Sequence, residues 1–262
     1  MTTLGDLRAR IDGARKDLVA VERELAAALT ADRGRGRGEL NRLLHELRVM
    51  RLGQTYAYTS QAGQDAVADM VFKRRTGGTF ADIGGYDGVT GSNTLFLESH
   101  RGWTGILAEP VRAQREKAAA VRRCPCLPYA VAAEDGTARM IEVREGFTQM
   151  SGLEGSYDEG LLARVRADPR HAEEVVEVET RTLSRILTDA GLTDVDFLSL
   201  DIEGGELAVL ETFPFDRHRI GLWSIENNTA DPRLGQVMSA AGYRLIEFCG
   251  PDELWLHSDL SP

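Results

Sequence analysis

The sequence predicts an α/β fold: a doubly wound, mainly parallel sheet ending in an antiparallel hairpin, with a helical segment ahead of it. Three observations carry that reading. From Thr79 onward, short β-rich runs alternate with helical patterns, as in sheets covered by helices on both faces. Near the end, the runs Tyr243 to Phe248 and Glu253 to His257 flank a turn containing Gly250-Pro251-Asp252, too short for anything but an antiparallel connection. Before Arg33, apolar residues recur at alternate spacings of three and four.

Taken in order, Leu4, Leu7, Ile11, Ala14, Leu18, Val21, Leu25 and Ala28 form one heptad seam and predict a coiled-coil-like helix. The tract Arg33-Gly34-Arg35-Gly36-Arg37-Gly38 breaks it, because glycine is costly inside a helix. A second helix is expected from Glu39 to about Arg51. The strands expected next are Thr79–Ile83, Gly105–Glu109, Cys126–Val131, Val195–Asp201 and Ile220–Glu226, and a helix is expected around Pro232–Ala241. Arg139–Val143 and Val175–Thr182 are β-branched runs that can pair with each other or extend an edge. Between them, Arg144 to Glu174 has a loop-forming composition and is expected to act as a substrate lid. The division that follows is a helical segment over 1–58 and a catalytic domain over 59–262, with the lid at about 144–174.

Composition narrows the function. Of 262 residues, 42% are hydrophobic and 27% charged, with a net charge of -10, which suits a soluble protein with a sizeable core. Residues 1–75 carry +4 and residues 76–262 carry -14. So acidic a domain repels a phosphate backbone, so nucleic acid is not an expected partner. Apolar runs are too short to span a membrane, and the first residues lack a signal-peptide pattern, so a cytoplasmic protein is expected. Cys124, Cys126 and Cys249 lack metal-finger spacing and are expected to be reduced thiols. The seam of the first helix is expected to drive self-association; the alternative is a hairpin packed on its own catalytic domain.

Two constellations carry chemistry. Asp82 lies on the first strand, and after Ile83 come Gly84, Gly85, Tyr86, Asp87 and Gly88, a turn whose glycines permit close backbone approach to a ligand. Its spacing differs from the dinucleotide pattern, and no phosphate-cradling Lys follows. Glu109, ahead of Pro110, ends the next strand, where a carboxylate can accept hydrogen bonds from both ribose hydroxyls. Together they select a nucleoside without a phosphate tail, and S-adenosylmethionine fits. The other constellation is Asp201, Glu203 and Glu206 after one strand and Glu226 and Asn227 after another. Adjacent strands lie about 4.8 Å apart, so these groups should converge beyond the carboxyl ends. Asp201, Glu226 and Asn227 form an oxygen donor set suited to Mg²⁺ or Mn²⁺. For Glu203 and Glu206 the alternative is to cap the following helix, whose dipole favours an acid.

With the hairpin at its end, this layout is that of class I methyltransferases. From about Ser60 to His257 the chain resembles the FkbM-type methyltransferases, on the stretches Ser60 to Asp65, Asp82 to Gly88, Leu107 to Pro110, Thr182-Leu183, Asp196 to Glu206 and Ile225-Glu226. The resemblance implies S-adenosylmethionine-dependent methylation, usually of oxygen, and adds Gln64, Asp65 and Asn93 to Asp82, Gly84, Gly85, Tyr86, Asp87, Gly88, Glu109 and Pro110 as cofactor-binding candidates. Tyr86 departs from the family's usual Gly-Ala-Asn-Asp-Gly. The acid and amide positions are also similar to the metal site of catechol- and macrocin-type O-methyltransferases, whose basic residue three positions beyond the strand-end Asp is Gly204 here.

The expected function is therefore O-methylation of a small-molecule hydroxyl, on a secondary metabolite, with Asp201, Glu203 and Glu226 as catalytic candidates and a divalent cation assisting. The alternatives are a metal-independent methyltransferase with a carboxylate base and a non-catalytic adaptor module. Of the five histidines, only His171, in the expected lid, could reach the crevice, and it is read as a surface residue.

Overall fold

The computed structural model describes residues 2–260. Two helices, α1 (Leu4–Ala31) and α2 (Gly36–Leu52), form an antiparallel hairpin. Thr3 starts α1 with a reciprocal cap, its hydroxyl accepting from the Asp6 N–H at 3.1 Å while the Asp6 carboxylate accepts from the Thr3 N–H at 2.8 Å. α3 (Gln64–Val71) then leads into β1 (Thr79–Ile83), α4 (Leu95–Arg101), β2 (Thr104–Ala108), α5 (Arg112–Val121) and β3 (Cys126–Leu127). Beyond these lie β4 (Ala130–Val131), β5 (Gly136–Glu145), β6 (Gly152–Leu153), α6 (Glu159–Arg166) and β7 (Ala172–Arg181). The chain ends with α7 (Leu183–Asp189), β8 (Asp194–Leu200), α8 (Glu206–Thr212), β9 (Arg219–Glu226), α9 (Pro232–Ala240), β10 (Tyr243–Cys249) and β11 (Asp252–His257).

The main sheet has seven strands in the order β10-β11-β9-β8-β1-β2-β3, all parallel except β11, which runs antiparallel to β9 and β10. The strand order reverses between β1 and β8, so their carboxyl ends open a crevice. One core layer packs Trp223, Leu198 and Ile220 against Ile186, Leu187, Val209 and Leu210; the opposite layer packs Phe80, Phe197 and Leu222 against Ala68, Phe72, Leu97 and Ala118. Side chains of successive strand residues point to opposite faces, which is why these strands read as unbroken apolar runs.

Three expectations need correction. Cys126–Val131 is not one strand: Pro128 has no N–H for the ladder, the chain turns out of the sheet there, and Ala130–Val131 joins a second, four-stranded sheet ordered β4-β7-β5-β6. The span 144–174, read as loop-forming, also carries regular structure. β6 pairs with β5, and Asp158 caps α6 by accepting from the Leu161 N–H at 2.7 Å, so Leu162 and Val165 pack on Ile141 and Val143. The second helix starts at Gly36 rather than Glu39, with two glycines in its first turn. At Gly38 the helix crosses the β10–β11 turn: the Gly250 N–H donates to the Gly38 carbonyl at 2.9 Å, and a Cβ on Gly38 would stand 2.1 Å from the Gly250 carbonyl oxygen. That contact, with Arg37 on Glu247 at 2.6 Å and Asn41 on the Phe248 carbonyl at 2.8 Å, fixes α2 to the sheet edge. All three cysteines are free thiols. Among the described residues no helix is long and apolar enough to cross a membrane.

The turn after β1 depends on a cation that sequence patterns do not reveal. Arg122, its side chain 0% exposed, donates to Glu98 at 2.9 Å, to Thr94 Oγ1 at 2.8 Å, to the Gly88 carbonyl at 3.2 Å and to Asp82 at 3.5 Å. Removing one partner of such a buried cluster strands the others without compensation. Arg122→Ala is therefore expected to lower unfolding free energy by about 3–5 kcal/mol in urea titration; a change below about 1 kcal/mol would show that water replaces the guanidinium at little cost.

Candidate active site

The crevice at the switch point has a volume of about 450 Å³ and is walled by the β1, β2, β8 and β9 carboxyl ends and by Met150–Leu153 of the insertion. Its floor is the turn Asp82 to Tyr86. Gly84, at φ 81°, has the Asp201 carbonyl oxygen 1.6 Å from where a Cβ would be, so β1 and β8 approach this closely only with glycine. The Asp82 carboxylate accepts from Thr94 Oγ1 at 2.5 Å and from Arg122.

Glu109 accepts from two backbone N–H groups, Tyr86 at 3.0 Å and Val111 at 2.7 Å. Burial nevertheless pushes its carboxyl up to about 7, against the pull of those two hydrogen bonds. Tyr86, with φ at 47°, sits in the left-handed region, and its hydroxyl lies 2.6 Å from Thr148 Oγ1 of the insertion. One residue thus joins the carboxylate of β2 to the wall that covers the crevice. Asn93 is buried, its amide donating to Ser199 at 2.9 Å, while its Oδ1 has no partner among the described residues.

At the other end of the crevice, Asp201, Glu203 and Glu226 each present a carboxylate oxygen within 4.8 Å of the others. Asp201 Oδ1 and Glu203 Oε2 are buried and have no hydrogen-bond partner among the described residues. Glu203 reaches this position through φ 59°, followed by Gly204 and Gly205 at φ 104° and 114°, a tight turn that aims the side chain inward. Burial, followed by the repulsion of neighbouring carboxylates, holds all three carboxyls well above the usual range. Orphaned oxygen donors with uncompensated charge fit a hard divalent cation.

The structure gathers Asp82, Gly84, Gly85, Tyr86, Asn93, Glu109, Pro110, Asp201, Glu203 and Glu226 on this crevice. Asn227 goes elsewhere: its amide donates to Glu253 at 2.8 Å and its Oδ1 accepts from the Asp231 N–H at 2.9 Å, closing the turn into α9, so Glu203 stands where Asn227 was expected. Asp65 accepts from the Thr59 N–H at 2.6 Å and Ser60 Oγ at 2.5 Å, and Gln64 reaches Asp252 at 3.2 Å; both brace the wall behind the crevice. Asp87 turns back on the Val89 and Thr90 N–H groups, and Gly88 packs on Ala118 and Arg122. Glu206 caps its own turn by accepting from the Ile202 and Gly204 N–H groups at 3.0 and 3.2 Å. His171 pairs with Glu173 at 2.8 Å, away from the crevice. Sequence reasoning missed Arg122, Ser199 and the Tyr86–Thr148 pair, none of which has a local pattern to betray it.

The Methyltransferase FkbM domain family matches residues 82–245. The chain belongs to the FkbM methyltransferase family. The matched span starts at the crevice floor and takes in both acidic constellations, leaving α1, α2 and α3 outside it. No curated protein matches this family member in sequence. Among solved structures it is similar to the methyltransferase FkbM from Methylobacillus flagellatus KT, at 14% identity and TM-score 0.46, covering 91% of this chain and 58% of that one. It is also similar to the N-terminal domain of human METTL16, at 12% identity and TM-score 0.43, covering 75% of this chain and 69% of that one. The chain thus spans less than two thirds of the Methylobacillus chain.

These contacts lead to expected outcomes for this family member. The ionised Glu109 is the stronger acceptor of ribose hydroxyls, so affinity for S-adenosylhomocysteine should rise as pH climbs through about 7 and level off above it, whereas Glu109→Gln should bind weakly and without that pH dependence in calorimetry. In the unliganded protein the sign is opposite: with the folded value above the ordinary 4.5, the stability contributed by protonated Glu109 is full below 4.5 and is lost as pH rises through about 7. Tyr86→Phe and Thr148→Val should each speed dissociation of that ligand by roughly 2- to 10-fold, the worth of one hydrogen bond, with the double variant no faster than either single. Independent, additive effects would show that the two hydroxyls do not act as a pair.

Proposed function

We propose that this chain transfers the methyl group of S-adenosylmethionine to a hydroxyl of a small molecule, with a divalent cation, Mg²⁺ or Mn²⁺, at the acidic end of the crevice. The observation that supports this is that one crevice holds, at opposite ends, the buried Glu109 carboxylate and three convergent carboxylates, two of them with orphaned oxygens. Glu109 receives the ribose hydroxyls. Asn93 Oδ1, buried and unpartnered among the described residues, supplies an acceptor for the ammonium of the methionine portion. The acceptor oxygen attacks the sulfonium methyl carbon in line, the C–S pair returns to sulfur, and the hydroxyl proton leaves to a carboxylate. Where no cation is bound, Asp201 or Glu203, each held above the ordinary carboxylate range, suits that proton.

Asp201, Glu203 and Glu226 would hold the cation, which when bound lowers the pKa of a coordinated hydroxyl. A volume of about 450 Å³ suits a cofactor with a small acceptor, and the -14 of residues 76–262 disfavours a nucleic acid, which supports a secondary-metabolite hydroxyl as acceptor.

Calorimetry with S-adenosylhomocysteine tests the methyltransferase reading, and absence of binding would overturn it. Electron paramagnetic resonance of Mn²⁺ tests the cation: Asp201→Asn and Glu226→Gln should each lose Mn²⁺ binding while keeping cofactor affinity. In methyl-transfer assays over hydroxylated small molecules, both variants should fall by roughly 10²-fold or more. Full activity in EDTA would leave base catalysis by Asp201 or Glu203 and remove the cation from the reaction.

A further inference from the structure

α1 is longer than the surface that covers it. Its 28 residues span about 42 Å and the 17 of α2 about 26 Å at a rise of 1.5 Å per residue. α2 runs back along the second half of α1, where Glu22 pairs with Arg48 at 3.0 Å and with Arg51, and where Leu18, Leu25 and Leu29 are half-buried. Uncovered on the seam are Leu4 at 80% exposure, Leu7 at 45%, Ile11 at 55% and, beside the α2 contact, Val21 at 42%. Leu4, Leu7 and Ile11 lie three and four residues apart on this seam, and Val21 lies on it ten residues further along, past the half-buried Leu18.

The charges on α1 are segregated. Residues 3–16 carry a net +2, from Arg8, Arg10, Arg15 and Lys16 against Asp6 and Asp12; residues 17–30 carry a net -2, from Asp17, Glu22 and Glu24 against Arg23. A parallel pairing of two such helices sets like against like. An antiparallel pairing sets each basic half on an acidic half. In the register that places Ile11 beside the partner's Val21, Arg10 falls beside the partner's Glu24, on the flank of the seam that α2 leaves free.

We propose that the uncovered stripe of α1 is the docking surface for α1 of a second copy of this chain, packed antiparallel. The two hairpins then form a four-helix bundle. The surface is independent of the methyl-transfer chemistry.

Sedimentation of the full chain at micromolar concentration should show a dimer. Ile11→Asp should raise the dimer dissociation constant by about tenfold or more. Arg10→Glu should also weaken the dimer, and adding Glu24→Arg should restore it, a rescue that misfolding cannot mimic. Under oxidation, the variant carrying Ile11→Cys with Val21→Cys should crosslink between chains, while Ile11→Cys alone should not. All variants should keep the parent affinity for S-adenosylhomocysteine. A monomer at every concentration would overturn the proposal, as would crosslinking by Ile11→Cys alone, which reports a parallel pair, or capture of a monomer by anionic lipid vesicles.

Discussion

Everything at the Asp82 end of this protein's crevice hangs on the guanidinium of Arg122. It is buried from water and stacked 5.4 Å from the centre of the Phe80 ring, so its charge has only protein partners: Glu98 and Asp82 as anions, with Thr94, Ser92 and the Gly88 carbonyl. Those groups come from β1, the turn after it and α4, and the cation arrives from the end of α5. Desolvating a guanidinium costs several kcal/mol, and only near-complete hydrogen bonding offsets it. The turn from Asp82 to Thr94 is accordingly held in one geometry, and Gly84 and Gly85 can lie within reach of a ligand without collapsing into the crevice.

A second constraint works in the opposite sense. Asp201, Glu203 and Glu226 repel one another in a site that burial has already made hostile to charge, and the chain forces them together regardless. It does so with backbone geometry: β8 and β9 are neighbours in the sheet, which brings Asp201 and Glu226 side by side, and the left-handed residues Glu203 to Gly205 turn the third acid inward. Ser156 of the insertion packs against that turn, its carbonyl oxygen 2.3 Å from a Cβ built on Gly204, so the insertion also shapes the acidic end. The same insertion meets Tyr86 at the other end of the crevice through Thr148. A single segment therefore touches both halves of the site, a better reason for its length than a connection between two strands.

The N-terminal hairpin stands apart from this chemistry but not from the fold. α2 is clamped to the β10–β11 turn through Gly38 and through Arg35 and Arg37 on Glu253 and Glu247, and Arg35 also reaches the Asn227 carbonyl at 2.9 Å. A helical segment with its own domain boundary near residue 58 understates that contact. The glycine-rich tract does break the first helix, and one of its glycines, Gly38, also lets α2 pass close to the β10–β11 turn.

The sequence alone determined the features that depend on neighbours along the chain. Alternation of strand and helix patterns, the hairpin turn, the strand-end acids Asp201, Glu109 and Glu226, the glycine turn after Asp82 and the heptad seam are all written in local spacing, because strand and helix periodicities are local properties. Tertiary structure decided what those residues face. Glu203, rather than Asn227, joins Asp201 and Glu226 because a side chain at the end of β9 can close its own turn, whereas a left-handed turn aims Glu203 at the other two acids. Gln64 and Asp65 became braces, since β11 and the strand-like stretch before α3 supply their partners. Arg122 looked like any other arginine, because what makes it central is burial among groups 24 to 40 residues away in the chain, and no local pattern encodes that distance.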